Sequence, residues 1–180
     1  DKDSNVSSAV DMSGEEKAQE LAAFLESEAR SLDNAHTNTK EKQMALQERA
    51  NKLDDVEKNH LKSVTLNNNR PINERILSVF LLGLSQGGAS QSLASEIAQA
   101  QLPDYGPSSP HSEAEIRNTQ ELAIRYMAID KLVQDYKSNP ADSPVATEAL
   151  NILKNQSVQN PIPQVRKYAI DELSKINRSH

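Results

Sequence analysis

Cysteine and tryptophan are absent from this chain of 180 residues, and its only aromatic side chains are Phe24, Phe80, Tyr105, Tyr126, Tyr136 and Tyr168. Without cysteine there is no disulfide, no thiolate nucleophile and no cysteine metal site. That absence does not choose a compartment, because cytosolic and periplasmic proteins alike do without it. No apolar run approaches the roughly 18 residues that cross a bilayer. The longest, 76–84, already contains Ser78 and Gly83. The net charge of −6 comes without any basic block, which argues against nucleic acid as a partner. No stretch alternates apolar and polar residues at period two, so no sheet is expected.

What is present is helical periodicity and helix punctuation. Residues 1–12 are polar, serine-rich and aperiodic, and read as a disordered leader. Ser13 with Glu16 forms a capping box, and Leu21, Phe24, Leu25 and Leu32 follow at helical spacing. A second stretch carries Met44, Leu46, Ala50, Leu53, Val56, Leu61 and Val64, with Asn38 and Glu41 as a second box. Residues 13–66 thus read either as a hairpin of two helices or as one helix of about fifty residues, and the hairpin is preferred. Their narrow apolar stripe suits a two-helix seam or a helix lying on another domain.

From residue 67 onward the chain reads as a second unit, 67–180. Asn67 to Pro71 is a break. Residues 72–85 are apolar nearly all round and so should be central and buried. Gln86, Gly87 and Gly88 end that helix, and a small-residue helix follows to Leu102. Three prolines in 103–112 mark the longest loop. Ser112 and Glu115 form a third capping box that opens a helix to about Lys137. Pro144 opens the next helix, and Pro161 and Pro163 precede the last. The fold class expected is all-α.

Two segments align without gaps. Residues 124–132 (IRYMAIDKL) and 165–173 (VRKYAIDEL) share Arg, Ala, Ile, Asp and Leu, and lie 41 residues apart. That period falls in the range of helical-pair repeats. The stretch Asn160, Pro161, Ile162, Pro163, Gln164, Val165 and Arg166, with Ala169 and Leu173 beyond it, resembles the turn and second helix of a HEAT repeat. Residues 144–157 would be that repeat's first helix. Asn160 stands where the family usually has an acidic residue, so the family's acid–arginine ladder does not carry over. The resemblance covers residues 90–178 at most. It implies a short right-handed α-solenoid or bundle of five helices over 71–180, with 13–66 as an arm or cap. It also implies a protein-binding scaffold whose second helices line a concave face. A single helical pair cannot bury its own apolar side, so neighbours must cover it.

Chemistry in the sequence is sparse. The four histidines show no metal-ligand spacing. His111 with Glu113 and Glu115 reads as a solvated, capped helix start rather than a cation site. Residues 86–90 lack the lysine and preceding strand of a phosphate loop, and read as a helix–helix turn. No nucleophile elbow, metal site or cofactor motif is visible, so no cofactor and no catalytic residue is expected.

The candidate partner-binding residues are Tyr105, Arg125, Asp130, Arg166, Lys167 and Asp171. Tyr105 is the aromatic expected to be exposed, as an anchor in the proline loop. The others fall on repeat-equivalent helices and would form a mixed-charge face, or simply a solvated one with local pairs such as Glu121–Arg125 and Asp171–Lys175. Tyr126 and Tyr168 read as core.

The function expected is a non-enzymatic protein–protein interaction scaffold. The missing methionine and polar leader point to a processed envelope protein, a periplasmic lipoprotein reaching the membrane only through a tether absent from this chain. The alternatives are a coiled-coil oligomerisation module acting through 13–66 and, third, an enzyme on a helical-repeat scaffold.

Overall fold

A computed structural model describes residues 13–32 and 39–178. Residues 1–12, 33–38 and 179–180, and with them the expected leader and the Asn38 box, lie outside the described residues. Within them the chain is all-helical, without a strand: α1 (Gly14–Leu32), α2 (Thr39–Asn51), α3 (Asp55–Leu66), α4 (Ile72–Leu84), α5 (Gly88–Gln99), α6 (Glu113–Ser138), α7 (Pro144–Gln159) and α8 (Pro163–Arg178).

Local chemistry sets most of the boundaries. Ser13 and Glu16 exchange side-chain and backbone bonds at the start of α1. Ser112 and Ser143 accept the amides of Glu115 and Ala146 and so open α6 and α7. The box expected at Ser112 is half formed, because the Glu115 carboxylate takes the amide of His111 instead. Gly87 turns the chain between α4 and α5 at φ 101°, a region that glycine enters without a Cβ penalty.

One boundary differs from expectation. The second apolar stretch is two helices, divided at residues 52–54. Asp54 accepts the amide of Glu57 at 2.9 Å and Glu57 accepts that of Asp54 at 3.0 Å, a complete capping box. Arg49 of α2 reaches Glu57 at 2.6 Å and Lys17 of α1 reaches Asp54 at 2.8 Å, so the corner is tied to both preceding helices. Met44 and Val56, counted on the apolar stripe, point to solvent at 65% and 53% exposure.

The helices pack in two rows. Helix α3 lies on α5 and α5 on α7, while α4 lies on α6 and α6 on α8. Each odd helix of this set also packs on the even helix that follows it. Helix α3 therefore joins the body formed by residues 67–178. Helix α1 rests on α3 and α4, and α2 on α4. Their apolar residues Leu21, Leu25, Leu46 and Ala50 enter the same core as Leu81, Ile97, Ile129, Leu132 and Val165. Helix α4 is central, touching α1, α2, α3, α5 and α6. Its burial is not complete all round, because Phe80 remains 37% exposed. Alanines 94, 98, 128, 146, 149 and 169 are buried and let neighbouring backbones approach closely.

Candidate interaction surface

The two similar segments lie on α6 and α8, which pack side by side. Ile124 and Val165 are fully buried, as are Ala128 and Ala169, while Asp130 and Asp171 both face solvent. The helices diverge where their surroundings differ. Ile129 is sealed within α6, which has helices on several sides, whereas its counterpart Ile170 on the last helix is 49% exposed.

Along this face Tyr126 and Tyr168 stack, with ring centroids 4.5 Å apart and planes 24° from parallel. The Tyr168 hydroxyl donates to Asp130 at 2.7 Å. Burial, followed by this bond and the Asp130 charge, pushes the phenol well above its ordinary pKa. Asp130 lies at the open edge of the pair, yet loss of water around its carboxyl group is the leading influence and raises its pKa. The Tyr168 bond opposes that rise and the nearby Glu172 charge adds to it. Lys167 pairs with Asp171 at 2.8 Å and Lys175 with Glu172. The Asp171 charge, expected from spacing to pair with Lys175, also acts on that lysine and, after the Glu172 bond and charge, helps raise its pKa. Tyr168, Asp171, Glu172, Ser174, Lys175 and Arg178 line a shallow depression beside the stack. Asp130, Lys167 and Asp171 therefore share one surface. The tyrosine pair lies half-buried along it, packed against the core as the sequence reading expected and open on its outer side.

Three candidate residues are placed otherwise. Arg125 is 1% exposed and takes no part in a surface. Its guanidinium holds the Glu121 carboxylate and the backbone carbonyls of Ala100 and Gln101. The Glu121–Arg125 pair, expected as a solvated pair, is interior. Arg75 of α4 grips the same carboxylate with two bonds, at 2.7 and 2.9 Å, and donates to the Thr65 carbonyl. Tyr105 is half-buried rather than exposed, with its hydroxyl on Glu121 at 2.8 Å and Arg117 over its ring. Arg166 folds back onto the Asn160 carbonyl at 2.6 Å.

The cluster places two guanidinium charges on one carboxylate. The remaining charge meets carbonyls at the C-terminal ends of α3 and α5, where helix dipoles favour a cation. Burial by itself would raise the Glu121 pKa, but the Arg75 and Tyr105 bonds and both guanidinium charges hold it below the ordinary value. Arg75 was not singled out from sequence, and Glu121 was named only as half of a solvated pair. The available signal was an arginine in the most apolar helix, which requires an interior anion.

Two further networks stitch the rows. Lys131 donates to the Ser85 carbonyl and to Asp135, and Gln91 bridges Asp135 to the Val145 carbonyl. Asn160 donates to the Ala98 carbonyl and to Gln156, and caps the Ile162 amide. Asn160, set aside as a departure from the repeat pattern, therefore fastens the α7–α8 turn to α5. Among the described residues no group of histidines and carboxylates gathers to hold a metal ion, and no helix is long and apolar enough to cross a membrane.

Comparison with known proteins gives no match of any kind: no family model, no curated protein and no solved structure matches the chain.

Proposed function

We propose that this chain is a non-enzymatic protein-binding scaffold built from stacked helical pairs of the HEAT type, α3–α4, α5–α6 and α7–α8, covered at one end by α1 and α2. The observation that carries this reading is the packing in two rows, with the 41-residue similarity falling on neighbouring helices of one row. On such a stack the even-numbered helices form one face. The binding surface proposed is its α6–α8 part: Tyr126, Asp130, Lys167, Tyr168, Asp171 and Lys175. Tyrosine pairs edged by charges are the kind of surface in which aromatic contacts supply affinity and charges supply register. The rival is an oligomerisation module acting through 13–66. Against it stands the use of that segment's leucines inside the chain's own core.

The test is a crosslinked pull-down from the native extract with three baits: the full chain, a Tyr168→Ala variant, and a Lys167→Glu, Lys175→Glu double variant. A protein held by the first and lost from both others supports the scaffold and its face. Retention on all three would move the face elsewhere. Capture of the chain itself, unchanged by these variants, would favour the oligomerisation module.

A further inference from the structure

We infer that the loop between α5 and α6 displays a Pro-x-x-Pro segment, residues 107–110, for a partner whose groove is lined by aromatic side chains. This rests on the scaffold reading but uses a different surface from the α6–α8 face. Residues 106–111 are all exposed, and 106–109 adopt neither helix nor strand. The backbone of the segment is strongly confined. Proline fixes φ at 107 and 110, and Ser109 is pushed to extended conformations by the proline after it. The Ser112 amide donates to the Ser109 carbonyl at 3.0 Å. Pro110 and then His111, at φ 64°, occupy the middle of that turn. This is the type II pattern, in which the proline keeps an extended ψ. At the other end Gly106 has φ 80°, and its amide is held by the Asp104 carboxylate at 2.8 Å. Four residues are thus set between two left-handed ones.

Both ends are anchored. Tyr105 is tied to Glu121, and Arg125 grips the carbonyls where the loop leaves α5. On the far side the Ser109 amide donates to the Ser112 hydroxyl, which also caps α6. In the polyproline II conformation, which repeats every three residues, prolines at 107 and 110 would lie on one edge about 9 Å apart. Aromatic grooves recognise that spacing, and the segment's low entropy lowers the cost of binding. Asp104, Glu113 and Glu115 are exposed beside it, with Arg117 already paired to Glu113. The partner's groove should therefore carry basic residues at its rim.

The probes are isolated SH3, WW and EVH1 domains, each titrated into the isotope-labelled full chain and followed by amide resonances. The expected result is that at least one domain shifts the resonances of residues 104–112. A Pro107→Ala, Pro110→Ala double variant should weaken its binding at least about tenfold, roughly 1.4 kcal/mol, while Ser108→Ala and Lys167→Glu leave it unchanged. The inference is overturned if no domain in the panel perturbs the loop, or if the double variant binds as the parent does. Since both prolines are exposed, an unchanged melting transition of the double variant confirms that folding is not what was lost. Loss of native partners from the Tyr168→Ala bait alongside a silent panel would sink the loop and leave the scaffold reading standing.

Discussion

Glu121 shows how one side chain decides the role of several others. It accepts bonds from Arg75, Arg125 and Tyr105 while almost wholly buried. Replacing it by Gln leaves two interior guanidinium groups without a counter-charge. We expect Glu121→Gln to cost about 3–5 kcal/mol, since breaking a buried pair strands the remaining charge. Tyr105→Phe, which removes one hydroxyl from the same carboxylate, should cost about 1.5 kcal/mol. Urea midpoints of the two variants check the order. The pH dependence separates two carboxylates of opposite behaviour. Glu121 titrates below its ordinary 4.5 in the fold, so its contribution is present above 4.5 and fades as pH falls through the folded value. Asp130 titrates above its ordinary 3.8. The folded state then binds the extra proton, and stability declines as pH rises from 3.8 through the folded value. Asp130→Asn should remove that decline without altering the acid limb set by Glu121. Denaturation midpoints of parent and variant between pH 3 and 7 measure it, and superimposable curves would refute the assignment.

Among the elements, the α2–α3 corner and the α4–α5 turn give paired tests. Asp54→Ala removes the N-cap of α3 and should cost about 1 kcal/mol, while Asp54→Asn keeps an accepting oxygen and should cost far less. Amide exchange in the first turn of α3 should quicken in the alanine variant alone. Gly87→Ala forces a Cβ into φ 101° and should cost about 1–2 kcal/mol. Gly88→Ala, with open space around the added atom and no positive φ, should be neutral or slightly stabilising. Equal melting shifts for the two alanines would contradict the conformation assigned to Gly87.

At the scale of the whole molecule, the all-α class and most helix starts were legible, because Ser13, Ser112 and Pro144 act locally on the next turn of chain. The α2–α3 break was legible in principle in the Asp54 and Glu57 spacing, but apolar residues on both sides hid it. Arg125 was misplaced for a different reason. Its counterpart in the later similar segment, Arg166, lies on α8, which packs on α6 and α7, whereas α6 is flanked by α4, α5, α7 and α8. Glu121, which draws Arg125 inward, corresponds to Ile162 in the later segment. Sequence similarity conveys which way a helix turns its residues. It does not convey how many neighbours the helix has. The same limit applied to Tyr126 and Tyr168, whose aromatic character pointed to the core but whose position at the α6–α8 seam leaves them half open.

The measurement that bears most directly on the scaffold reading is a photocrosslinking pair in the native extract. One full-length chain carries the crosslinker at position 167, on the α6–α8 face. The other carries it at position 155, exposed on α7 in the opposite row. The account predicts a discrete protein adduct from 167, competed away by unlabelled chain and absent from 155. Identical adducts from both positions, or none from 167, would contradict it.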